Sequence, residues 1–359
     1  MEVPCVAVAR EVGETVRTAL AEAELLDDDH EIAVNDGRIY VPVTDADAAA
    51  DAVATVDGDT EITTRDLPAR RGVRTPADLL GFEPSLERIG DIVVIDEDDP
   101  DRAEAIADAV IESDLPARSV LNRASKIKGE LRVREWEVVT IDNAAADSDL
   151  APTETVHREY GHEFLVDLAA VYFSPRLATE RHRVVQQVGP DDRVLDMFAG
   201  VGPFAIPAAG RDADVVAVDL NETAIDYCRE NARRNGVADA VTAIAGDVRE
   251  VADDYRDWAN RLVMNLPHSA NEFLDTAVAL AGDDCVIHYY DIQHEDDPFG
   301  PGIEAIRAAA EPEYEVAVGT EHVVRSYAPH ELNICLDVRL TQTEERTQRS
   351  FGSAADSQL

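Results

Sequence analysis

The stretch Asp196-Met197-Phe198-Ala199-Gly200-Val201-Gly202-Pro203-Phe204 decides how this chain is read. The run Arg193-Val194-Leu195 leads into it and ends in a carboxylate, and a Gly-x-Gly turn follows. That order predicts a strand opening into a loop whose glycines let the backbone approach a ligand where a side chain would block it. Val215-Val216-Ala217-Val218-Asp219 reads as the next strand, again ending in a carboxylate, at the position that takes the two hydroxyls of a ribose. Val241-Thr242-Ala243-Ile244 reads as a third, with Asp247 just beyond it, able to accept from an adenine amino group.

A dehydrogenase that binds a dinucleotide competes for the same features. Its turn is Gly-x-Gly-x-x-Gly, shaped around a pyrophosphate, and the third glycine is missing here. S-Adenosylmethionine carries no pyrophosphate and needs only the close approach and the ribose carboxylate. The pattern therefore predicts a methyltransferase. A fourth strand, Leu262-Val263-Met264-Asn265, runs into Asn265-Leu266-Pro267-His268. The Asn amide there can hold a base edge and the proline stiffens the turn; the plainer reading is an ordinary strand-to-helix turn.

Strands and helices continue to alternate outward from this core. Helices are expected over Ala224 to Asn235 and Ala270 to Ala281. Further strands are expected at Cys285 to Tyr290, Tyr314 to Val318 and Leu332 to Leu340. Such alternation predicts an α/β fold, a class I (Rossmann-like) methyltransferase sheet over residues 165–341. Residues 1–68 read as a small N-terminal α/β domain. It has strands at Cys5 to Val8 and Ile39 to Val43 and a helix from Glu11 to Leu26. Residues 69–164 read as a middle α+β domain, with strands at Asp91 to Asp96 and Ser119 to Leu121 around a helix from Arg102 to Ser113. The small, polar tail 342–359 is expected to be disordered.

The formal net charge is -42, from 74 acidic and 32 basic residues. Acidic residues are spread through patterned segments, and only Lys126 and Lys128 are lysines. The pattern fits a protein of a concentrated-salt cytoplasm, where a dense carboxylate surface stays hydrated and a Debye length of roughly 3 Å at molar salt screens repulsion. A nucleic-acid partner is thus not excluded. The densest basic patch, Arg123 through Lys126, Lys128, Arg132 and Arg134, is where such a partner would bind; a solvated loop is the alternative. Cys5, Cys228, Cys285 and Cys335 form no CxxC pair, which argues against zinc and disulfides. No apolar run of eighteen residues and no secretion signal is found, so a soluble, cytoplasmic monomer is expected.

Several blocks together resemble the archaeal and eukaryotic tRNA (guanine-37-N1)-methyltransferase family. They are Ser125-Lys126-Ile127-Lys128-Gly129, His157-Arg158-Glu159, Tyr172-Phe173-Ser174-Pro175-Arg176-Leu177-Ala178-Thr179-Glu180-Arg181, the glycine turn, Asn265-Leu266-Pro267, His288-Tyr289-Tyr290 and Ser326-Tyr327-Ala328-Pro329. The resemblance implies a cofactor, S-adenosylmethionine, and a partner, tRNA, held at its anticodon loop and, by the N-terminal domain, at its outer corner. It implies Glu180 as the base that takes the N1 proton and Arg134, or else Arg132, facing O6. Asn265 and Pro267 would stand beside the target base. The cofactor pocket would comprise Tyr172, Arg181, Asp196, Phe198, Gly200, Gly202, Asp219, Asp247 and Asn265, and the RNA contacts Lys126, Lys128, Arg132 and Arg176. No metal is implied. An ion pair of Glu180 with Arg181 or Arg183 on an exposed helix is the plainer alternative. Relatives acting on the wyosine-type base at the same position, a dual-function enzyme, and a silent tRNA-binding protein are the rival functions.

Overall fold

The computed structural model describes residues 2–344 except 36, 57, 71, 127, 128, 130 and 143–147. It contains two compact units, Met1–Arg74 and Thr75–Leu359.

In the first unit, β1 (Glu2–Ala9), β2 (Ala33–Asn35), β3 (Arg38–Pro42) and β4 (Thr60–Asp66) form an antiparallel sheet in the order β2-β3-β1-β4. Helices α1 (Gly13–Glu22) and α2 (Ala46–Val53) pack Val16, Leu20, Ala49 and Val53 against Val6, Val8, Val41 and Val43. Asp45 caps α2 by accepting from the amides of Asp47 and Ala48. The expected helix to Leu26 stops at Glu22, because Leu26 leaves it to bridge Val43.

The second unit begins with α3 (Pro76–Leu80) and a four-stranded sheet in the order β5-β6-β7-β8. Its strands are β5 (Glu87–Ile89), β6 (Ile92–Ile95), β7 (Ser119–Arg123) and β8 (Trp136–Ile141). The parallel pair β6–β7 is joined through α4 (Pro100–Glu112). A hairpin comes next, β9 (Glu154–Glu159) with β10 (His162–Asp167). The boundary expected between residues 164 and 165 therefore falls inside a strand. Residues 75–164 also belong to the same unit as the large C-terminal sheet, and the division at 68 shifts to 74. The physical reason is a shared core: Val93, Ile95, Ile106 and Val110 cover one face of the four-stranded sheet, while Ile92, Val94 and Leu121 of the other face join the core of the large sheet.

That sheet has seven strands. They are β11 (Arg193–Asp196), β12 (Asp214–Asp219), β13 (Val241–Ala245), β14 (Ala259–Met264), β15 (Ala281–His294), β16 (Tyr314–Ala328) and β17 (Glu331–Gln342), in the order β13-β12-β11-β14-β15-β17-β16. The first five are parallel and β17 runs antiparallel between β15 and β16. Alternate residues feed two cores: Val194, Val215 and Val263 on one side, Leu195, Val216 and Leu262 on the other. Helices α5 (Ala178–Val185), α6 (Ala205–Ala209), α7 (Glu222–Arg234), α8 (Val248–Val251), α9 (Leu274–Leu280) and α10 (Gly300–Ala310) connect and cover these strands. This is the expected mainly parallel, Rossmann-like sheet. Strand order reverses between β11 and β14, so the carboxyl ends carrying Asp196 and Asn265 flank a topological switch point, where ligands of such sheets bind. The tail expectation shifts as well, since Gln342 still pairs with Tyr314 in β17; residues 345–359 lie outside the described ones. Among the described residues no helix is long and apolar enough to cross a membrane.

Candidate active site

The glycine turn is built as its sequence requires. Gly200 and Gly202 have φ of 54° and 88°, the left-handed region. A Cβ at Gly202 would lie 2.9 Å from Cys228 Sγ and 3.0 Å from Ile206, so that glycine is demanded by packing of the turn on α7 and α6. A Cβ at Gly200 would meet only the Tyr172 carbonyl oxygen, at 3.9 Å. Gly200 therefore lies open, with Tyr172 beside it. Its amide donates to Asp219 Oδ2 at 2.7 Å, and Asp219 Oδ1 accepts from the amide of Asn221 at 2.8 Å. Asn231 of α7 braces the turn by donating to the carbonyls of Val201 and Leu165.

Asp196 is fully buried. Its Oδ1 accepts from the amide of Phe198 at 3.3 Å, and its Oδ2 has no hydrogen-bond partner among the described residues. Burial, with the Asp219 charge nearby, pushes its carboxyl up to about 7. Burial raises Asp219 as well. An orphaned carboxylate oxygen beside an unfilled glycine fits a ligand that brings positive charge or a donor to the turn, as S-adenosylmethionine does.

Asp247 behaves differently. It caps α8 through the amide of Arg249 and holds the Arg249 guanidinium, whose hydrogen bonds keep its carboxyl below the usual range. Arg249 lies over the Phe273 ring at 4.8 Å, and Phe273 meets Phe198 edge-on at 4.9 Å. This chain of contacts ties Asp247 to the glycine turn. Arg249 and Phe273 are not legible as site residues in the sequence, since their roles exist only through these contacts.

At the end of β14, Asn265 is half-buried and its side chain makes no hydrogen bond among the described residues; Pro267 is buried. The Pro267 carbonyl accepts from the amide of Ile292, and His268 Nε2 lies 3.0 Å from the Tyr327 hydroxyl. Two blocks far apart in sequence thus meet at one turn.

Glu180 sits in the first turn of α5 and is 5 % exposed. Arg183 donates Nε to its Oε2 and Nη2 to its Oε1, both at 2.8 Å. The Tyr290 hydroxyl donates to Oε1 at 2.8 Å, and His322 Nε2 lies 3.3 Å from Oε2. The expected alternative of an ion pair with Arg183 is present, but on a buried face rather than an exposed one. Tyr290 follows Tyr289, the β15 partner of Met264, and Asn265 follows Met264. The Glu180 carboxylate, carried by α5, is thus held by the β15 residue that follows the strand partner of Met264, and Asn265 with its free amide follows Met264 itself. Arg183 continues to Asp337 at 2.6 Å. Asp337 faces His288 Nδ1 at 2.6 Å, and Arg261 donates to His288 Nε2 at 2.8 Å. Since Nε2 accepts, the imidazole proton is on Nδ1 and is donated to Asp337. Burial lowers the pKa of His288, in keeping with a neutral ring. His288, Cys335 and Asp337 could converge on a metal ion, but Arg183 already donates to both Asp337 and Cys335 Sγ. A cation there would meet the guanidinium.

Arg181, expected at the cofactor, instead faces away from this network. It is 3 % exposed, donates Nε and Nη2 to Glu159 at 2.8 and 2.5 Å and Nη2 to the Ser174 carbonyl, and lies over Phe173. Its guanidinium is committed to β9.

A cleft of about 670 Å³, open to solvent, lies beside Tyr172. Arg123, Arg132, Arg134, Arg176 and Arg325 line it with one carboxylate, Glu87. Arg132 lies 5.1 Å over the Tyr172 ring, and Arg134 lies 5.3 Å from Trp136. Burial and the charge of Arg123 lower the pKa of Arg134. The Nε atoms of Arg123 and Arg325 are buried with no hydrogen-bond partner among the described residues. Cations crowded this way call for an anion. Arg176 is partly engaged by Glu87 at 2.9 Å, and Arg123 pairs with Glu87 and with Asp96 at 3.1 Å, so Arg132, Arg134 and Arg325 are the cations these ion pairs leave for an anion. Lys126 is exposed and is not among the cleft's lining residues, and Lys128 lies outside the described ones. Arg325, on β16, escapes sequence reading because no basic neighbours mark it.

Residues 155–318 match the TRM5/TYW2 methyltransferase domain, and residues 5–51 match the tRNA methyltransferase 5 N-terminal domain. The chain is 38% identical to the tRNA (guanine(37)-N(1))-methyltransferase Trm5b of Pyrococcus abyssi, over 92% of this chain and 96% of that protein. The chain belongs to the TRM5/TYW2 methyltransferase family. It is therefore an S-adenosylmethionine-dependent tRNA methyltransferase; the glycine turn predicts the methyltransferase, and the family resemblance the tRNA. Among solved structures, the complex of aTrm5 and tRNALeu is similar with a TM-score of 0.66 and 31% identity, over 94% of this chain and 99% of that one. A tRNA(Phe) (4-demethylwyosine(37)-C(7)) aminocarboxypropyltransferase of Methanocaldococcus jannaschii is 28% identical over 70% of this chain and 96% of that protein.

Proposed function

We propose that this chain transfers a methyl group to N1 of guanine 37, beside the anticodon of tRNA. The observation that carries the reading is the buried Glu180 carboxylate, which accepts from Tyr290 next along β15 from the strand partner of Met264, while Asn265 follows Met264 with its amide unengaged. Guanine N1 bears a proton and is a poor nucleophile until that proton leaves. A carboxylate at hydrogen-bond distance supplies general-base catalysis, typically worth ~10²–10⁴ in rate. Removing the proton leaves charge on O6, which a guanidinium stabilises in a site screened from water. Arg134 takes that role, with Arg132 as the alternative; both line the same cleft. Asn265 holds the base edge and Pro267 fixes the turn that presents it.

Bound S-adenosylmethionine supplies a methyl group on a sulfonium. Asp219 is suited to the ribose hydroxyls, Asp196 to the cationic end and Gly200 to close approach, while Phe198, Tyr172 and Asp247 line the pocket. The base must first be unstacked from its loop, at a cost of a few kcal/mol. The arginine cleft, with Lys126 and Lys128 nearby in sequence, receives the phosphates of the anticodon loop, and the N-terminal unit contacts the outer corner. The enzyme works as a monomer in a cytoplasm of molar salt, to which its net charge of -42 is suited.

The relative that acts on the wyosine base supports a second reading, in which position 37 is also modified further. The Trm5b relative spans 92% of this chain against 70% for that one, which favours guanine N1. Purified tRNA transcripts with guanine or adenine at position 37, incubated with labelled cofactor in molar KCl, provide the test. Methylation of the guanine transcript alone is expected; equal labelling of both would overturn the reading. Nucleoside analysis of tRNA from a deletion strain separates the wyosine reaction.

A further inference from the structure

Methylating a ring nitrogen that bears hydrogen releases one proton per turnover. The N1–H bond breaks as the N1–CH₃ bond forms, the electron pair of the methyl–sulfur bond stays on sulfur, and the proton remains on Glu180. The Glu180 side chain is only 4% exposed, so it has little route of its own to water. Before the next turnover that proton must leave through a neighbour.

Among the described residues, three polar groups touch the carboxylate. Arg183 is a fixed cation, and although burial opposes its charge, hydrogen bonds to Glu180 and Asp337 raise its pKa further, so it accepts nothing. Tyr290 is fully buried, and burial pushes its phenol well above the ordinary range. His322 differs from both. Its side chain is 40% exposed, and Nε2 stands 3.3 Å from Oε2.

The sheet explains why it stands there. Tyr290 pairs with Cys335, and Cys335 pairs with His322, so the three form one row across β15, β17 and β16 beneath the first turn of α5. Glu180 takes a hydrogen bond from Tyr290 at one end of the row and meets the imidazole at the other. The charged and titratable groups around the ring are Glu180 and Arg183 of α5 and Cys335 of β17, with Asp337 and Tyr290 behind them and Glu321 and Arg325 along its own strand. Burial, with the charges of Glu180 and Asp337, pushes the Cys335 thiol well above its ordinary range, so it does not compete for the proton.

We propose that His322 relays the proton from Glu180 to solvent and so resets the base after each methyl transfer. This rests on Glu180 being the base. The proton passes from Oε2 to the unprotonated Nε2, and the imidazolium then loses it to water or buffer; nothing is oxidised or reduced.

The test uses the full chain and a guanine-37 transcript in molar KCl with little buffer. His322→Gln and His322→Ala should each lower the multiple-turnover rate by about tenfold or more. Added imidazole should restore His322→Ala, because a free carrier can occupy the vacated path. Cofactor affinity by calorimetry should stay at the wild-type value in both. Wild-type turnover in both variants, or a loss in His322→Ala that imidazole does not restore, overturns the relay. Glu180→Gln is the control for the reading beneath it. It should lose transfer already in a single turnover, with no imidazole rescue, whereas a wild-type first turnover there sinks the base assignment itself.

Discussion

Replacing Arg181 with Met discriminates between a strut and a cofactor ligand. The guanidinium makes two hydrogen bonds to Glu159, at 2.8 and 2.5 Å, and one to the Ser174 carbonyl at 3.1 Å. Arg181 is 3 % and Glu159 8 % exposed. The methionine keeps much of the volume over Phe173 but leaves the Glu159 carboxylate buried and unpaired. Breaking a buried pair from one side costs about 3–5 kcal/mol. At about 2 °C per kcal/mol for a large unit, Tm should fall by roughly 6–10 °C. Because the pair is buried, the loss should persist between 0.5 and 3 M KCl, where exposed pairs are already screened. Replacing Glu159 with Leu in the same protein should recover most of the loss, since no orphaned charge remains. The assays are thermal unfolding by circular dichroism and cofactor binding by calorimetry below the transition. Unchanged Tm with cofactor affinity lost would show that the guanidinium serves the ligand, and the strut would be refuted.

Gly202→Ala should cost about 1–3 kcal/mol in denaturant melts, because its Cβ would press on Cys228 Sγ and Ile206. Gly200→Ala meets nothing closer than 3.9 Å and should cost about 1–2 kcal/mol for its left-handed backbone, with cofactor affinity falling further than stability; the reverse order would place the ligand elsewhere. Folded Asp196 keeps its proton up to about pH 7 and the unfolded chain releases it near 3.9, so unfolding sheds a proton between these values and ligand-free stability should fall as pH rises through that window. Asp196→Asn should remove that component in melts from pH 4 to 8, and a wild-type pH profile in the variant would contradict it. Arg134→Ala should slow single-turnover transfer by about 10²–10³, and a wild-type rate there with a slow Arg132→Ala would reassign the O6 contact.

The parallel strands β6, β11 and β12 are legible in the sequence because their centres are buried on both faces and read as short apolar runs. The glycine turn is legible because its steric demand falls on residue type. The outer antiparallel strands read shorter than they are. β16 runs from Tyr314 to Ala328 with three register shifts, and each shift breaks the alternation by which a strand is recognised. The middle region reads as its own domain because sequence shows its elements but not that Ile92, Val94 and Leu121 face the large sheet. Partner choice is the least legible property. Arg181 and Arg183 look alike in the sequence, yet one binds Glu159 and the other is shared between Glu180 and Asp337. His322 sits in an unremarkable edge strand and acquires meaning only through its cross-strand row.

The short helix α5 explains why those arginines divide. Consecutive helical residues point about 100° apart, so Glu180 and Arg181 face different walls. Three charged side chains and a histidine leave this helix little apolar surface, and its buried residues are Val184 and Val185 together with the charged Glu180 and Arg181. Position is fixed instead by two low-exposure ion pairs, Arg181–Glu159 toward the hairpin and Arg183–Asp337 toward the sheet. Screening in concentrated salt weakens exposed pairs far more than such buried ones. A chain rich in surface carboxylates can therefore keep its candidate base in register by holding the positioning charges in pairs of low exposure, which salt screens less than surface ones. The same burial isolates Glu180 from water, which is why a half-exposed imidazole at the end of the row matters.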